Sequence, residues 1–140
     1  MQRSGQATLS FIVLVSGIVL QVAIAGSIVT YFFNASKFSE RLDSRSLAAA
    51  QAGVRDAQVR ITRDSSYASG GNEEYTLDVG SDAALISVTR TTDNPTHTFQ
   101  YVITSIGSAA GRLKQLVGVV LANQTTGLVE FKSLVEEPVQ

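Results

Sequence analysis

The chain holds one histidine, His97, and no cysteine. Without cysteine there is no disulfide, no thiolate nucleophile and no sulfur-liganded zinc or iron–sulfur centre. A single imidazole leaves His-rich metal sites and most His-based acid–base machinery without their usual parts. Serines are plentiful, yet no Gly-x-Ser-x-Gly turn presents one as a nucleophile. Asp78, Asp82 and Asp93 are the carboxylates that most suggest calcium. They lack the dense alternation of oxygen ligands of a calcium loop, and read instead as solvated surface. Arg112 and Lys114 flank one expected strand, with Arg90 near them in the expected sheet. Three cations on a chain of net charge −1 are a weak nucleic-acid face. Asn123-Gln124-Thr125 matches a glycosylation acceptor, a pattern that chance supplies often. His97 follows a turn and reads as an ordinary strand residue. No enzyme activity, catalytic residue, cofactor or metal is expected.

The elements that carry these residues are uneven in charge. Of 140 residues 44% are apolar and only 16% charged, against roughly 25% in an average soluble domain. The deficit is local: no Asp, Glu, Lys, Arg or His occurs from Gln6 to Ser36. The 27 residues from Ala7 to Phe33 are mostly apolar, more than the ~20 a helix needs to span hydrocarbon. Ser10, Ser16, Gly17, Gly26 and Ser27 interrupt this Ile/Val/Leu surface. Small residues of this kind permit close helix–helix approach, although Gly17 and Gly26 are too widely spaced for a GxxxG pair. Tyr31, Phe32 and Phe33 fall where an interfacial aromatic belt is expected. A cleaved secretory signal fits poorly, because its apolar core runs to ~7–15 residues and Ala23-Ile24-Ala25 lies inside this run, not after it. Arg3 alone precedes the span, whereas Lys37, Arg41 and Arg45 follow it. By that count the C-terminal part faces the cytoplasm.

Past the span the pattern stays helical, and no proline interrupts it before residue 63. Phe38, Leu42, Ala49, Gly53, Ala57 and Ile61, with Leu47, Ala50 and Val54 beside them, recur at spacings of three, four and seven. That is an amphipathic stripe. Arg41, Arg45, Arg55 and Arg60 take the other face, with Asp56 and Arg60 at the i, i+4 spacing of an ion pair. One helix is therefore expected from about residue 7 to 63. Gly70-Gly71 in a polar cluster marks a loop, after which the period changes to two. Strands are expected at Tyr75–Val79, Leu85–Arg90, Thr98–Ile106, Leu113–Leu121 and Val129–Val135, with a turn at Asp93-Asn94-Pro95. Phe99, Tyr101 and Ile103 form one face of the third. Leu113, Val117, Val119 and Leu121 form the expected apolar alternation of the fourth. Short connections favour an antiparallel meander of four or five strands. A sheet with one apolar face and a helix with one apolar stripe bury each other. The expected fold is α+β: a long N-terminal helix, half transmembrane and half amphipathic, packed on a C-terminal antiparallel sheet.

Several stretches carry a family likeness. A short basic leader ends in Gly5, and Gln6-Ala7-Thr8-Leu9-Ser10 opens straight into the apolar helix. Ser46–Ile61 (SLAAAQAGVRDAQVRI) is an Ala-rich helix centred on Ala-Gly, and Thr98–Leu121 carries a Tyr-x-Ile-x-Ser-x-Gly strand, a turn and a basic-flanked strand. In order and spacing these resemble the type IV pilin-like proteins, in particular the minor-pilin and pseudopilin branch. The resemblance implies a leader at 1–5, a filament-core or transmembrane helix at 6–36, an amphipathic helix at 37–63 and a sheet region at 64–140, with 37–140 one globular domain. It implies cleavage between Gly5 and Gln6 by a prepilin peptidase, and assembly through Leu9, Ser10, Phe11 and Leu14. The implied partners are other pilin-like subunits, an assembly platform, and membrane lipid before assembly. The implied location is the cytoplasmic membrane, crossed once, with the C-terminal domain outside the cytoplasm and at the cell surface once assembled. The family's usual acidic residue at the fifth mature position is here Ser10, which fits a minor or tip subunit. The mature start is Gln6 in place of Phe or Met.

Three roles follow: a filament subunit, a single-pass anchor carrying a binding or sensor domain that never assembles, or a stalk joining two membrane complexes. Only the first requires processing at Gly5.

Overall fold

In a computed structural model, residues 4–64, 66–93 and 96–139 are described. Met1, Gln2 and Arg3 of the expected leader lie outside the described residues, as do Asn94 and Pro95 of the expected turn. One helix, α1 (Ser4–Arg63), is followed by five strands: β1 (Asn72–Val79), β2 (Asp82–Asp93), β3 (Thr98–Ala109), β4 (Arg112–Asn123) and β5 (Val129–Glu137). The strands form one sheet in sequence order, each pair antiparallel, with the helix packed on it. The chain divides into two compact units, Met1–Ser39 and Glu40–Gln140.

Among its described residues the first unit is helix alone. Two of its hydroxyls bond back to the helix backbone. Ser27 Oγ donates to the Ala23 carbonyl and Thr30 Oγ1 to that of Gly26, each at 2.9 Å. Such i−4 bonds satisfy a hydroxyl without water, the requirement for a helix in hydrocarbon.

The second unit is built by the remainder of α1 lying on the sheet. Helix residues Ala50, Val54, Ala57 and Ile61 meet Ala84, Ile86 and Val88 of β2, Tyr101 and Ile103 of β3, and Leu116 and Val120 of β4 in one buried cluster. The inner face of β3 carries Tyr101, Ile103, Ser105, Gly107 and Ala109, all buried. Side-chain size falls from Tyr101 to Gly107 along this row, and the helix comes closest where it is smallest. A Cβ on Gly107 would lie 2.0 Å from the Ser46 carbonyl oxygen and 2.5 Å from the Ala50 nitrogen. One on Gly53 would lie 2.3 Å from Ser105 Oγ. Gly107 lets the strand meet the helix backbone at Ser46 and Ala50, and Gly53 leaves room on the helix for the Ser105 side chain.

Four expectations need correction. Phe38 is 64% exposed, so the buried stripe of α1 begins at Leu42. The strands are longer than their apolar alternation, because the ladders run up to tight turns at Gly80-Ser81 and Ala110-Gly111 regardless of side-chain type. In β4 the helix side is Leu116, Gly118, Val120 and Ala122, not Leu113, Val117, Val119 and Leu121. Register decides this: Tyr101 sits opposite Val120, Ile103 opposite Gly118 and Ser105 opposite Leu116. The more apolar alternation therefore lies on the other face of the sheet. Finally, His97 is a turn residue with φ of +49°, its carbonyl accepting from the Gln124 amide at 2.9 Å.

Candidate membrane and assembly interface

Among the described residues, the feature that most demands a partner is the first unit of α1. Sixteen large apolar side chains between Leu9 and Phe33 are each 40–72% exposed. They cover the helix on every side, since 100° per residue distributes an uninterrupted apolar run around the axis. Leu9 (68%), Phe11 (67%) and Leu14 (60%) all point outward. Helical geometry puts Leu14 on the face of Ser10, four residues earlier, and sends Leu9 and Phe11 elsewhere. The four residues are thus neighbours in sequence that do not form one patch. Gly5 and Gln6 lie within the first turns of α1, which begins at Ser4. The helix contains a stretch long and apolar enough to cross a membrane once. Tyr31 and Phe32 meet edge to face at 6.1 Å near its end.

The polar residues singled out in the sequence are dispersed and employed locally. Arg45 clamps Asp82 through two bonds, Nε at 3.0 Å and a terminal nitrogen at 2.6 Å, and also reaches Ser81 Oγ at 2.6 Å. This fork-to-fork pair ties α1 to the β1–β2 turn. Asp93 accepts from Thr96 Oγ1 at 2.6 Å, while Asp78 lies on β1, so the three aspartates do not converge. Lys114 pairs with Glu136, and Arg112 lies 3.9 Å from Asp43. Arg90 is not their neighbour. It pairs in register with Tyr101, eight residues along β3 from Ala109, the partner of Arg112. Its guanidinium stacks on the Phe99 ring at 4.5 Å. Asn123 spends its side-chain oxygen on the amides of Thr125 and Thr126, both at 2.9 Å, shaping the turn before β5.

A cluster with no sequence signal beyond its i, i+4 pair joins Asp56, Arg60 and Tyr75. Arg60 Nε donates to Asp56 at 2.7 Å and its guanidinium covers the Tyr75 ring at 4.0 Å. Partial burial works against the Asp56 charge. The bond from Arg60 and the charges of Arg60 and Arg63 outweigh it, holding the carboxyl below the usual range. Burial, then the adjacent Asp56 carboxylate, push the Tyr75 phenol well up. These groups lie beyond the charge-free stretch and fasten β1 to the helix. Nothing in their geometry offers a substrate site.

No family model, curated protein or solved structure matches the chain.

Proposed function

We propose that the protein is a structural subunit of a type IV pilus or type II secretion-like filament, a minor or tip subunit by virtue of Ser10. In this reading the apolar helix is stored in the cytoplasmic membrane and then enters a bundle in which neighbouring helices replace lipid. The observation that carries it is the uncovered apolar helix running straight into a helix-on-meander domain. Full burial of one Val, Leu, Ile or Phe side chain is worth ~1.5–3 kcal/mol. Sixteen half-exposed ones therefore represent on the order of 10–20 kcal/mol still to be gained. That matches or exceeds the whole net stability of an ordinary domain, ~5–15 kcal/mol. Lipid or other helices must cover this surface.

The test is the mass of the mature chain isolated from membranes. The filament reading expects a chain beginning at Gln6, and Gly5→Val, which puts a side chain at the scissile bond, should leave it intact. An unprocessed wild-type chain beginning at Met1 would overturn the reading in favour of a plain membrane anchor.

A further inference from the structure

The second unit has a cavity at one end of its sheet and an unengaged acidic–apolar segment at the other. The cavity, about 550 Å³, lies where the end of α1 meets the start of β3 and the turn before β5. Ile61, Phe99, Tyr101 and Val129 give it apolar walls, while Arg63 and Arg90 line it with positive charge. Its size is within the roughly 300–1,000 Å³ of ordinary ligand pockets. Among the described residues neither arginine is in an ion pair, unlike Arg45, Arg60, Arg112, Lys114 and Lys132. Two cations beside an apolar hollow call for an apolar group with a carboxylate next to it.

The chain itself carries that chemistry. β5 ends at Glu137, where Pro138 removes the next backbone donor, and Val139 follows outside the sheet. Glu136 is held by Lys114, but Glu137 is exposed and in no ion pair among the described residues. Val139 is 36% exposed. This segment cannot reach its own cavity. The cavity lies at the Phe99–Tyr101 end of β3 and the segment beside Arg112 and Lys114, at the other end. A strand of 12 residues separates them, about 40 Å at ~3.3 Å per residue.

We propose that the cavity is the acceptor for Glu137-Pro138-Val139 of a second copy of the chain, Val139 entering the apolar hollow and Glu137 meeting Arg63 and Arg90. Donor and acceptor lie at opposite ends of one unit. The contact is therefore head-to-tail, the heterologous kind that propagates into an open array instead of closing as a dimer. It rests on the filament reading for the supply of neighbouring copies, but departs from the minor or tip placement drawn from Ser10, because an open array needs many copies of this chain.

The absence of native cysteine makes a cross-linking test clean. Gln124→Cys at the cavity rim and Val139→Cys, combined in the full-length chain in membranes, should give a ladder of trimers and higher species under mild oxidation. Each single variant should stop at dimers. Arg90→Glu in the double-cysteine chain should cut the ladder about tenfold, and adding Glu137→Arg should restore it. A monomer closed on itself, no species beyond the single-variant dimers, or a ladder indifferent to Arg90→Glu would overturn the contact. The two readings fail separately. A chain that matures at Gln6 without a ladder loses the contact and keeps the filament. An Arg90-dependent ladder from an uncleaved chain keeps the contact and loses the filament.

Discussion

Side-chain volume on the inner row of β3 decides how near α1 can come. At Gly107 the obstacle to a larger residue is backbone, the Ser46 carbonyl and the Ala50 amide. Backbone inside a helix cannot swing aside as a side chain can. Gly107→Ala must therefore push the helix off the sheet along its closest contact, an overpacking that costs about 1–3 kcal/mol. Gly118 lies on the same inner face but offers ordinary room. Its Cβ would sit 3.4 Å from the Phe131 ring and 3.6 Å from Leu134, both side chains. Gly118→Ala should leave stability unchanged or raise it by up to about 1 kcal/mol, because alanine has less backbone freedom to lose. Urea unfolding of the full chain in micelles, followed by circular dichroism, separates the two. Equal losses at both positions would mean that helix approach is not governed by the small end of this row. Ser105, between Gly107 and Ile103, extends the same economy of volume. Its buried hydroxyl has no hydrogen-bond partner among the described residues, so its value lies in fitting against Gly53.

At the scale of elements, the β3–β4 hairpin turns on two residues, Ala110 at φ +46° and Gly111 at φ +83°. Both angles are left-handed, the geometry whose twist matches antiparallel strands and which favours Asn-Gly. Alanine in that region is strained by roughly 1 kcal/mol. Ala110→Asn should relieve much of it and raise the thermal midpoint of the globular unit by a few degrees, while Ala110→Val should lower it. No change with either substitution would mean the turn is not held in this conformation. The elements themselves were largely legible: the change of period from 3.6 to two after Gly70-Gly71 separates α1 from the sheet, and short polar turns imply a meander. The face of β4 was not, because both of its alternations are apolar and only pairing with β3 selects Val120 over Val119 and Leu121. Phe38 continues the heptad-like spacing of the stripe, so spacing alone includes it, although sheet cover begins only at Leu42. The Arg45–Asp82 clamp joins residues 37 apart and has no local signature. Of the candidate site, the uncovered apolar helix was readable from its missing charges. Ser10, Leu9, Phe11 and Leu14 came from resemblance, and helical geometry spreads them over several faces.

At the scale of the whole molecule, two physical cues disagree about which side of the membrane holds the sheet. Lys37, Arg41 and Arg45 follow the apolar stretch while Arg3 alone precedes it, and a cytoplasmic excess of Lys and Arg is the usual rule. A filament subunit needs the opposite orientation, since its globular unit must stand outside the cytoplasm before the helix leaves the lipid. The fixed residue among these three is Arg45, whose charge is committed to Asp82. That pairing forms only once the domain has folded, and the rule counts Lys and Arg without regard to neighbouring carboxylates, so Arg45 stays in the tally. The charge count therefore stands against the filament reading, which makes orientation a sharp test of it. The filament reading accordingly expects the sheet outside. Thr76 is exposed on β1, away from the cavity and from the Glu137 segment. With no native cysteine to compete, Thr76→Cys should react with a membrane-impermeant maleimide on spheroplasts before lysis. Lysis should then add little further labelling. The reverse pattern would put the sheet in the cytoplasm, where no surface filament can recruit it, and the chain would then act as an anchored domain.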